Sequence, residues 1–189
     1  MSKISQIYFF NITFLILLSS FQTQAQKLFK SSRGEISFYS DTPLEAITAS
    51  NKKVFAILNL EKKELAVKFN IKDFEFPNRL MQVHFNESYL ESDKFPSASF
   101  SGKFEDDFFL SNDGIQEIHI SGYLTVHGVK VFRKLKISLV SLDNHFHFSC
   151  NFLINYADHK IEVPNLVFAR ISDQIQVRSK FDFSLSSVF

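Results

Sequence analysis

Few residues in this chain combine a reactive side chain with a spacing that suits chemistry. His145 and His147 are separated by one residue, which places both imidazoles on one face of a strand, where such a pair can chelate zinc. A zinc site needs a third and a fourth ligand, and the sequence offers only His119 on a strand that could lie nearby. We therefore interpret the pair as solvated, and we predict neither a metal site nor a cofactor.

Three carboxylates, Glu87, Glu91 and Asp93, lie close together in the sequence beside Lys94. Paired carboxylates can carry out acid–base catalysis. However, no nucleophile, oxyanion-hole motif or glycine-rich phosphate loop accompanies them, so we interpret them as the solvated face of a capped helix. We predict that the protein is not an enzyme.

The single cysteine, Cys150, excludes an internal disulfide bond. It shares one face of a predicted strand with Phe146, Phe148 and Phe152. Because free cysteine usually behaves as a small hydrophobic residue, we expect a buried and unreactive side chain at this position.

Alternation of apolar and polar residues is the strongest pattern in the sequence. Because successive side chains of a strand point to opposite faces, a period of two predicts strands with one dry and one solvated side. About eight such segments occur, joined by short polar turns. They cover residues 35–40, 53–60, 65–71, 98–104, 117–126, 131–139, 146–154 and 175–185. The pattern predicts an all-β, antiparallel fold, either closed into a barrel or folded as a sandwich.

Two segments break this alternation and are predicted to be short helices. Thr42 and Glu45 form a capping-box pattern at the start of residues 42–50. Asn86 is the predicted N-terminal cap of the second helix, over residues 86–94.

The first 25 residues have the layout of a secretory signal peptide. Lys3 supplies a positive start, residues 4–18 are largely apolar, and Thr23 and Ala25 are the small residues that precede a cleavage site. The alternative is a membrane anchor, but the apolar run is shorter than the roughly 20 residues that a spanning helix needs. We predict removal of residues 1–25, a periplasmic or secreted location, and one domain over residues 26–189 that does not span the membrane.

The charge balance argues against a nucleic-acid partner. The chain has 21 Lys and Arg against 20 Asp and Glu, and Lys3 is the only charged residue of the predicted leader. The mature chain therefore carries no formal net charge, and its basic residues form no stripe, so we predict no nucleic-acid binding. Of the 24 phenylalanines, 20 follow the leader and provide a large apolar interior.

A series of motifs spans most of the predicted domain. Residues 74–96 read FEFPNRLMQVHFNESYLESDKFP, and residues 99–104 continue as SFSGKF. Residues 122–129 read GYLTVHGV, and further matching segments lie within residues 34–51. These motifs resemble the YceI-like family, and most of all its branch in exported proteins of Bacteroidetes-type bacteria. Phe95 stands where that branch more often has tyrosine.

The resemblance implies a lipocalin-like antiparallel β-barrel of about eight strands with one or two short helices. Members of the family bind long-chain polyisoprenoid lipids. The implied ligand is therefore an apolar lipid, either an isoprenoid quinone or a polyprenyl phosphate. His84 and His127 belong to the shared motifs and are candidates for contact with its head group, although a structural hydrogen bond is the alternative for each.

The inward phenylalanines could line a lipid tunnel or fill the barrel, since an eight-stranded barrel is just wide enough for either. Two functions follow: lipid binding, or a filled-barrel structural or interaction protein of the cell envelope without a lipid ligand. Transient contact with the envelope or a membrane is compatible with both, and the sequence does not determine the oligomeric state. The candidate barrel-lining residues are Phe100, Phe104, Ile118, Ile120, Leu124, Leu135, Ile137, Phe146, Phe148, Phe152, Phe181 and Phe183.

The predicted leader can be tested on protein recovered from the native cell envelope. Because Thr23 and Ala25 form the cleavage pattern, amino-terminal sequencing should begin at or near Gln26. Recovery of mature protein that still begins at Met1 would contradict the prediction.

Overall fold

The computed structural model describes residues 28–40, 46–108, 110, 114–142, 145–162 and 174–184, so the predicted leader lies outside the described residues. Within these ranges, ten strands form one antiparallel sheet in the order β1-β4-β5-β6-β7-β8-β9-β10-β2-β3. The strands are β1 (Leu28–Lys30), β2 (Arg33–Ser40), β3 (Ile47–Asn51), β4 (Phe55–Asn59), β5 (Glu64–Asn70), β6 (Ser97–Phe104), β7 (Gly114–Val126), β8 (Val129–Leu142), β9 (His145–Asn155) and β10 (Gln174–Ser184).

The described residues contain one short α-helix, α1 (Arg79–His84), which continues as a π-helical turn over Phe85–Tyr89. Two 3-10 turns, Ile71–Asp73 and Tyr156–His159, follow β5 and β9. None of the described helices has the length and hydropathy required to cross a membrane.

The sheet closes where the chain passes from β1 to β2. β1 pairs with β4, whereas β2 pairs with β10, so these two short strands act as one bent strand between both edges. Ser31 donates its backbone N–H to the Ala56 carbonyl over 2.9 Å, and its hydroxyl accepts the Ala56 N–H over 3.0 Å. The Ser32 N–H donates to the Asp182 carbonyl over 2.8 Å. The result is a closed eight-stranded barrel with β3 as an extra strand on β2, as the resemblance implied.

The strand faces follow the predicted alternation. On β9, Phe146, Phe148 and Cys150 are buried, whereas His145 and His147 on the opposite face are exposed. On β8, Arg133 lies on the inward face, and its guanidinium is paired with Asp158 at 2.7 Å. Each barrel strand therefore has one side toward the core and one toward solvent.

One end of the barrel is packed with aromatic rings. Phe146 stacks on Phe183 with ring centroids 5.2 Å apart, and Phe29 contacts Phe146 edge-on. Phe104 and Phe148 meet at 5.8 Å. All five rings are at most 5% exposed, so this end is filled by side chains.

The helix predicted over residues 42–50 is wrong. Residues 42–45 lie outside the described residues, and residues 47–50 belong to β3, which pairs with β2. Ser50 also exchanges two backbone hydrogen bonds with Glu75, of 3.1 and 2.8 Å. These long-range hydrogen bonds override a weak local helical preference.

The second helix was predicted too late in the chain. It begins after Asn78, whose Oδ1 accepts the Leu80 N–H over 2.8 Å, and not after Asn86. The Asn86 amide instead donates to the Gln82 carbonyl inside the helical segment. The helical segment ends at Leu90, because the next residue, Glu91, has a φ of 41°.

Gly122 lies directly opposite Gly102 between β7 and β6. A Cβ atom at Gly122 would lie 2.2 Å from the Ser101 carbonyl oxygen and 2.4 Å from the Gly102 Cα, both in the backbone. We predict that Gly122→Ala lowers the free energy of unfolding by about 2–3 kcal/mol, because the strands must move apart. Urea denaturation measures the change.

The control is Thr125→Ala on the same strand, which we expect to change stability by less than about 1 kcal/mol. Equal stability of Gly122→Ala and the unmodified protein would show that the two strands can separate without cost.

Candidate functional site

Above the packed end, the barrel encloses a cavity of about 360 Å³. This volume lies in the range of about 300–1,000 Å³ typical of small-molecule sites. Its wall comes from the inward faces of β2 and of β5 to β10, with α1 and the π-helical turn over one end. The fold therefore combines a filled half and a hollow half in one barrel.

Eight of the twelve candidate residues line this cavity, and their contact with a ligand stays a prediction. The remaining four, Phe104, Ile118, Phe146 and Phe183, also face inward but lie in the packed end, where neighbouring side chains enclose them. The eight lining residues are Phe100, Ile120, Leu124, Leu135, Ile137, Phe148, Phe152 and Phe181.

Phe148 forms the boundary between the two halves. One side of its ring contacts Phe104, Phe108 and Phe183 at centroid distances of 5.8, 6.2 and 5.4 Å. The same residue lines the cavity. Its ring is thus the floor on which any ligand in the cavity would rest.

A second aromatic cluster covers the opposite end of the cavity. Phe85, from the π-helical turn, stacks on Phe38 with centroids 5.4 Å apart and meets Phe74 and Phe76 at 5.5 and 5.0 Å. Asn78 starts the helix that brings Phe85 over the barrel. We did not predict this cluster from the sequence, because its residues lie mostly in the helical segment that we predicted too late in the chain and in the loop before it.

The cavity wall carries no charged side chain among the described residues. Its polar members are few, and burial raises the pKa of Tyr89, which keeps its phenol protonated. An apolar wall of this kind favours an apolar ligand, because an ionised group inside would lose its hydration without gaining a partner. The polar lining residues are Ser40, His84, Tyr89, Ser149, Tyr156 and Ser179.

The two histidines of the shared motifs have different positions. His84 lies at the rim of the cavity and is exposed. His127 lies outside the cavity wall, in the turn between β7 and β8, with a φ of 52°. Its Nε2 is 2.7 Å from a carboxylate oxygen of Glu91, and its Nδ1 is 3.3 Å from the His159 carbonyl. Both ring nitrogens of His127 therefore bond to protein.

This turn is fixed by its neighbours. The hydrogen bond from His127 lowers the pKa of Glu91, so that carboxylate stays ionised. The Phe95 ring packs edge-on against His127 at 4.4 Å, and a Cβ on Gly128 would lie 2.6 Å from that ring. The arrangement holds the loop after the π-helical turn against the β7–β8 turn.

The histidine pair at positions 145 and 147 and the carboxylates of residues 87–93 do not assemble into a reactive site in the described part of the chain. His147 pairs with Asp182 over 2.6 Å on the solvated face, and Asp93 pairs with Lys72 over 2.5 Å. Among the described residues, no group of three or more His, Cys, Asp and Glu side chains is placed to hold a metal ion.

Comparisons with known proteins agree with this architecture. The model of the YceI-like domain family matches residues 19–183. A polyisoprenoid-binding domain from Saccharophagus degradans superposes with a TM-score of 0.72 at 13% identity, over 84% of this chain and 98% of that one. No curated protein matches the sequence significantly.

Two further solved structures share the fold. BcnA of Burkholderia cenocepacia gives a TM-score of 0.67 at 11% identity, over 79% of this chain and 95% of that one. The YceI protein of Campylobacter jejuni gives 0.61 at 18% identity, over 75% and 86%. At these identities, the similarity of each structure shows the fold alone.

The reactivity of Cys150 measures how freely solvent reaches the cavity wall, because its buried thiol lines the cavity. Burial raises the pKa of this thiol to about 11, so almost none of it is thiolate at pH 8. We predict that a thiol reagent labels the native protein at least about a hundredfold more slowly than the chain unfolded in guanidinium chloride. Equal rates would show that solvent reaches the wall freely.

Proposed function

The chain belongs to the YceI-like domain family, and on this basis we propose that it is an exported binding protein that holds an apolar lipid inside its barrel. The ligand class that we propose is polyisoprenoid, either an isoprenoid quinone or a polyprenyl phosphate. The proposed location is the periplasm or the extracellular medium.

The observation that carries the proposal is the uncharged cavity above Phe148. A polyisoprenoid chain is slim, branched with methyl groups and apolar, so it suits a narrow space with an apolar wall. Burial contributes roughly 0.8 kcal/mol for each methylene group before the costs of ordering the chain are subtracted. Several isoprene units inside the barrel therefore suffice for stable binding.

The binding described for one relative supports the same class of ligand. The Saccharophagus degradans domain, which shares the fold over most of both chains, is a polyisoprenoid-binding domain. The proposal transfers this class to the present chain because the described cavity has an apolar wall and suitable dimensions.

A filled-barrel interaction protein of the cell envelope is the competing function. That function would require an interior filled by side chains along the whole barrel. Only one end is filled in this way, by Phe29, Phe104, Phe146 and Phe183. The hollow half above these rings favours the lipid carrier, because a barrel that only presents its outer surface gains nothing from an empty interior.

Mass spectrometry of lipids that copurify with the native protein tests the proposal. We predict a bound lipid with an isoprenoid tail, and we predict that Phe148→Leu selects a longer tail or retains more lipid. The smaller side chain lowers the floor of the cavity, at a cost in stability of about 1–2 kcal/mol.

The matched control is Phe146→Leu. Phe146 is as deeply buried as Phe148 and shares its strand face, but it lies outside the cavity. This variant should lose similar stability without changing the lipid. Protein that carries no lipid from its native envelope and shows no saturable binding of prenyl compounds would favour the competing function.

A further inference from the structure

The wall of the barrel has a gap between β8 and β9. Their pairing runs from Leu142 and His145 to Ile137 and Cys150 and ends there. Beyond this point β9 continues to Asn155, paired only with β10, while the first part of β8 is paired only with β7. Residues 132–136 and 151–155 thus form two neighbouring strand segments with no backbone pairing between them.

The gap opens into the side of the cavity. Leu135 on β8, together with Phe152 and Ile154 on β9, belongs to the cavity wall. If the register of the paired part continued, Leu135 would lie opposite Phe152. The inner edges of the gap are therefore apolar at these three residues, which face the space that the ligand would occupy, and the inward Arg133, paired with Asp158, lies toward its outer limit.

Large apolar side chains also flank the gap on the outer surface. Phe132 on β8 is 58% exposed, and Leu153 on β9 is 54% exposed. Tyr123, on the neighbouring strand, is 46% exposed and meets the Phe132 ring edge-on at 5.6 Å. We refer to Tyr123, Phe132 and Leu153 as the lips. Exposed apolar side chains of this size, grouped at one place, mark a surface that contacts an apolar partner.

The 3-10 turn after β9 sets the outer limit of the gap. Asp158 pairs with Arg133 over 2.7 Å, and His159 Nδ1 lies 3.2 Å from the Val129 carbonyl. Pairing at Ile137 fixes the other limit, so the gap is a bounded opening and not a frayed edge.

We infer that this gap is the portal through which the lipid passes between a bilayer and the cavity, with the lips in contact with the bilayer. The inference rests on the proposed function. Neither end of the barrel offers an equally direct path, because the ring packing below Phe148 fills one and the cluster around Phe85 covers the other. Passage between the lips keeps an apolar chain out of water along its whole path.

The charges around the lips fit a zwitterionic bilayer. On the outer face of β8, Lys134 pairs with Glu105 and Lys136 with Glu117, each over 2.6 Å. The Lys130 ammonium lies 4.3 Å from the centroid of the Tyr123 ring. Because two of these three lysines are neutralised by carboxylates, docking depends on the apolar lips and does not require anionic lipid.

The first test separates loading from transfer. Radiolabelled geranylgeraniol is presented either in detergent or in phosphatidylcholine vesicles, to the unmodified protein and to the double variant Phe132→Ser/Leu153→Ser. We expect equal loading from detergent, since neither residue lines the cavity, but about tenfold slower transfer from vesicles, which corresponds to roughly 1.4 kcal/mol in the barrier.

The control is Phe55→Ser/Ile57→Ser on β4, where the side chains are 59% and 47% exposed. It removes similar apolar surface elsewhere on the barrel and should leave both rates unchanged. Equal transfer by the lip variant and the control would overturn the portal. Absence of loading from detergent in the unmodified protein would instead overturn the proposed function.

A second test closes the gap covalently. The pair Lys134→Cys/Leu153→Cys spans it, and Ser138→Cys/Ser149→Cys spans the paired part of the same strands at an equivalent register position. Both are made with Cys150→Ser. We expect the disulfide across the gap to stop transfer from vesicles until it is reduced, and the control disulfide to have no effect.

Each outcome of the second test is informative. A gap pair that does not oxidise while the control pair does shows Cα atoms held more than about 7 Å apart, which supports a permanent opening. A disulfide that forms across the gap and leaves transfer unchanged overturns the portal and directs attention to the end under α1.

Discussion

Two adjacent serines hold the barrel closed, and the interior depends on that closure. Ser31 bonds through both its backbone and its hydroxyl to Ala56 on β4, and Ser32 bonds to the Asp182 carbonyl on β10. Without this crossing, the sheet would be open, with β1 and β3 as its edges, and the inward side chains at its two ends would meet water. With it, every inward residue faces other inward residues, so the interior must be packed by side chains or occupied by a ligand.

The hollow half has a local cause in residue size. Along the register of β9 and β10, Phe148 lies opposite Phe181, Cys150 opposite Ser179, and Phe152 opposite Val177. The middle pair is therefore much smaller than the pairs on either side. Two small residues side by side leave unfilled volume at this level of the barrel. The rings below are closely packed and cannot move into it, so the space remains as a cavity.

The period-two pattern predicted the eight barrel strands and their inward faces, because burial on one side of a strand leaves a local mark on the sequence. β1 and β3 show no such alternation in the sequence, because they are three and five residues long and are stabilised by hydrogen bonds to distant strands. Whether an inward phenylalanine fills the barrel or borders a cavity was not predictable, since Phe146 and Phe148 share strand, face and residue type. The three-dimensional arrangement of Phe104, Phe108 and Phe183 around them determines that Phe148 borders the cavity and Phe146 does not.

The uncharged wall also constrains how a ligand can lie. A phosphate inside this cavity would meet no cationic side chain among the described residues and would lose several kcal/mol of hydration, so a polyprenyl phosphate must keep its head outside. A quinone ring is neutral and has two carbonyl oxygens, and the hydroxyl of Ser179, halfway along the wall, is a donor for one of them. The two ligand classes therefore require different orientations. A tail-first phosphate that enters between β8 and β9 leaves its charge outside that gap, whereas a quinone can place its ring against β10.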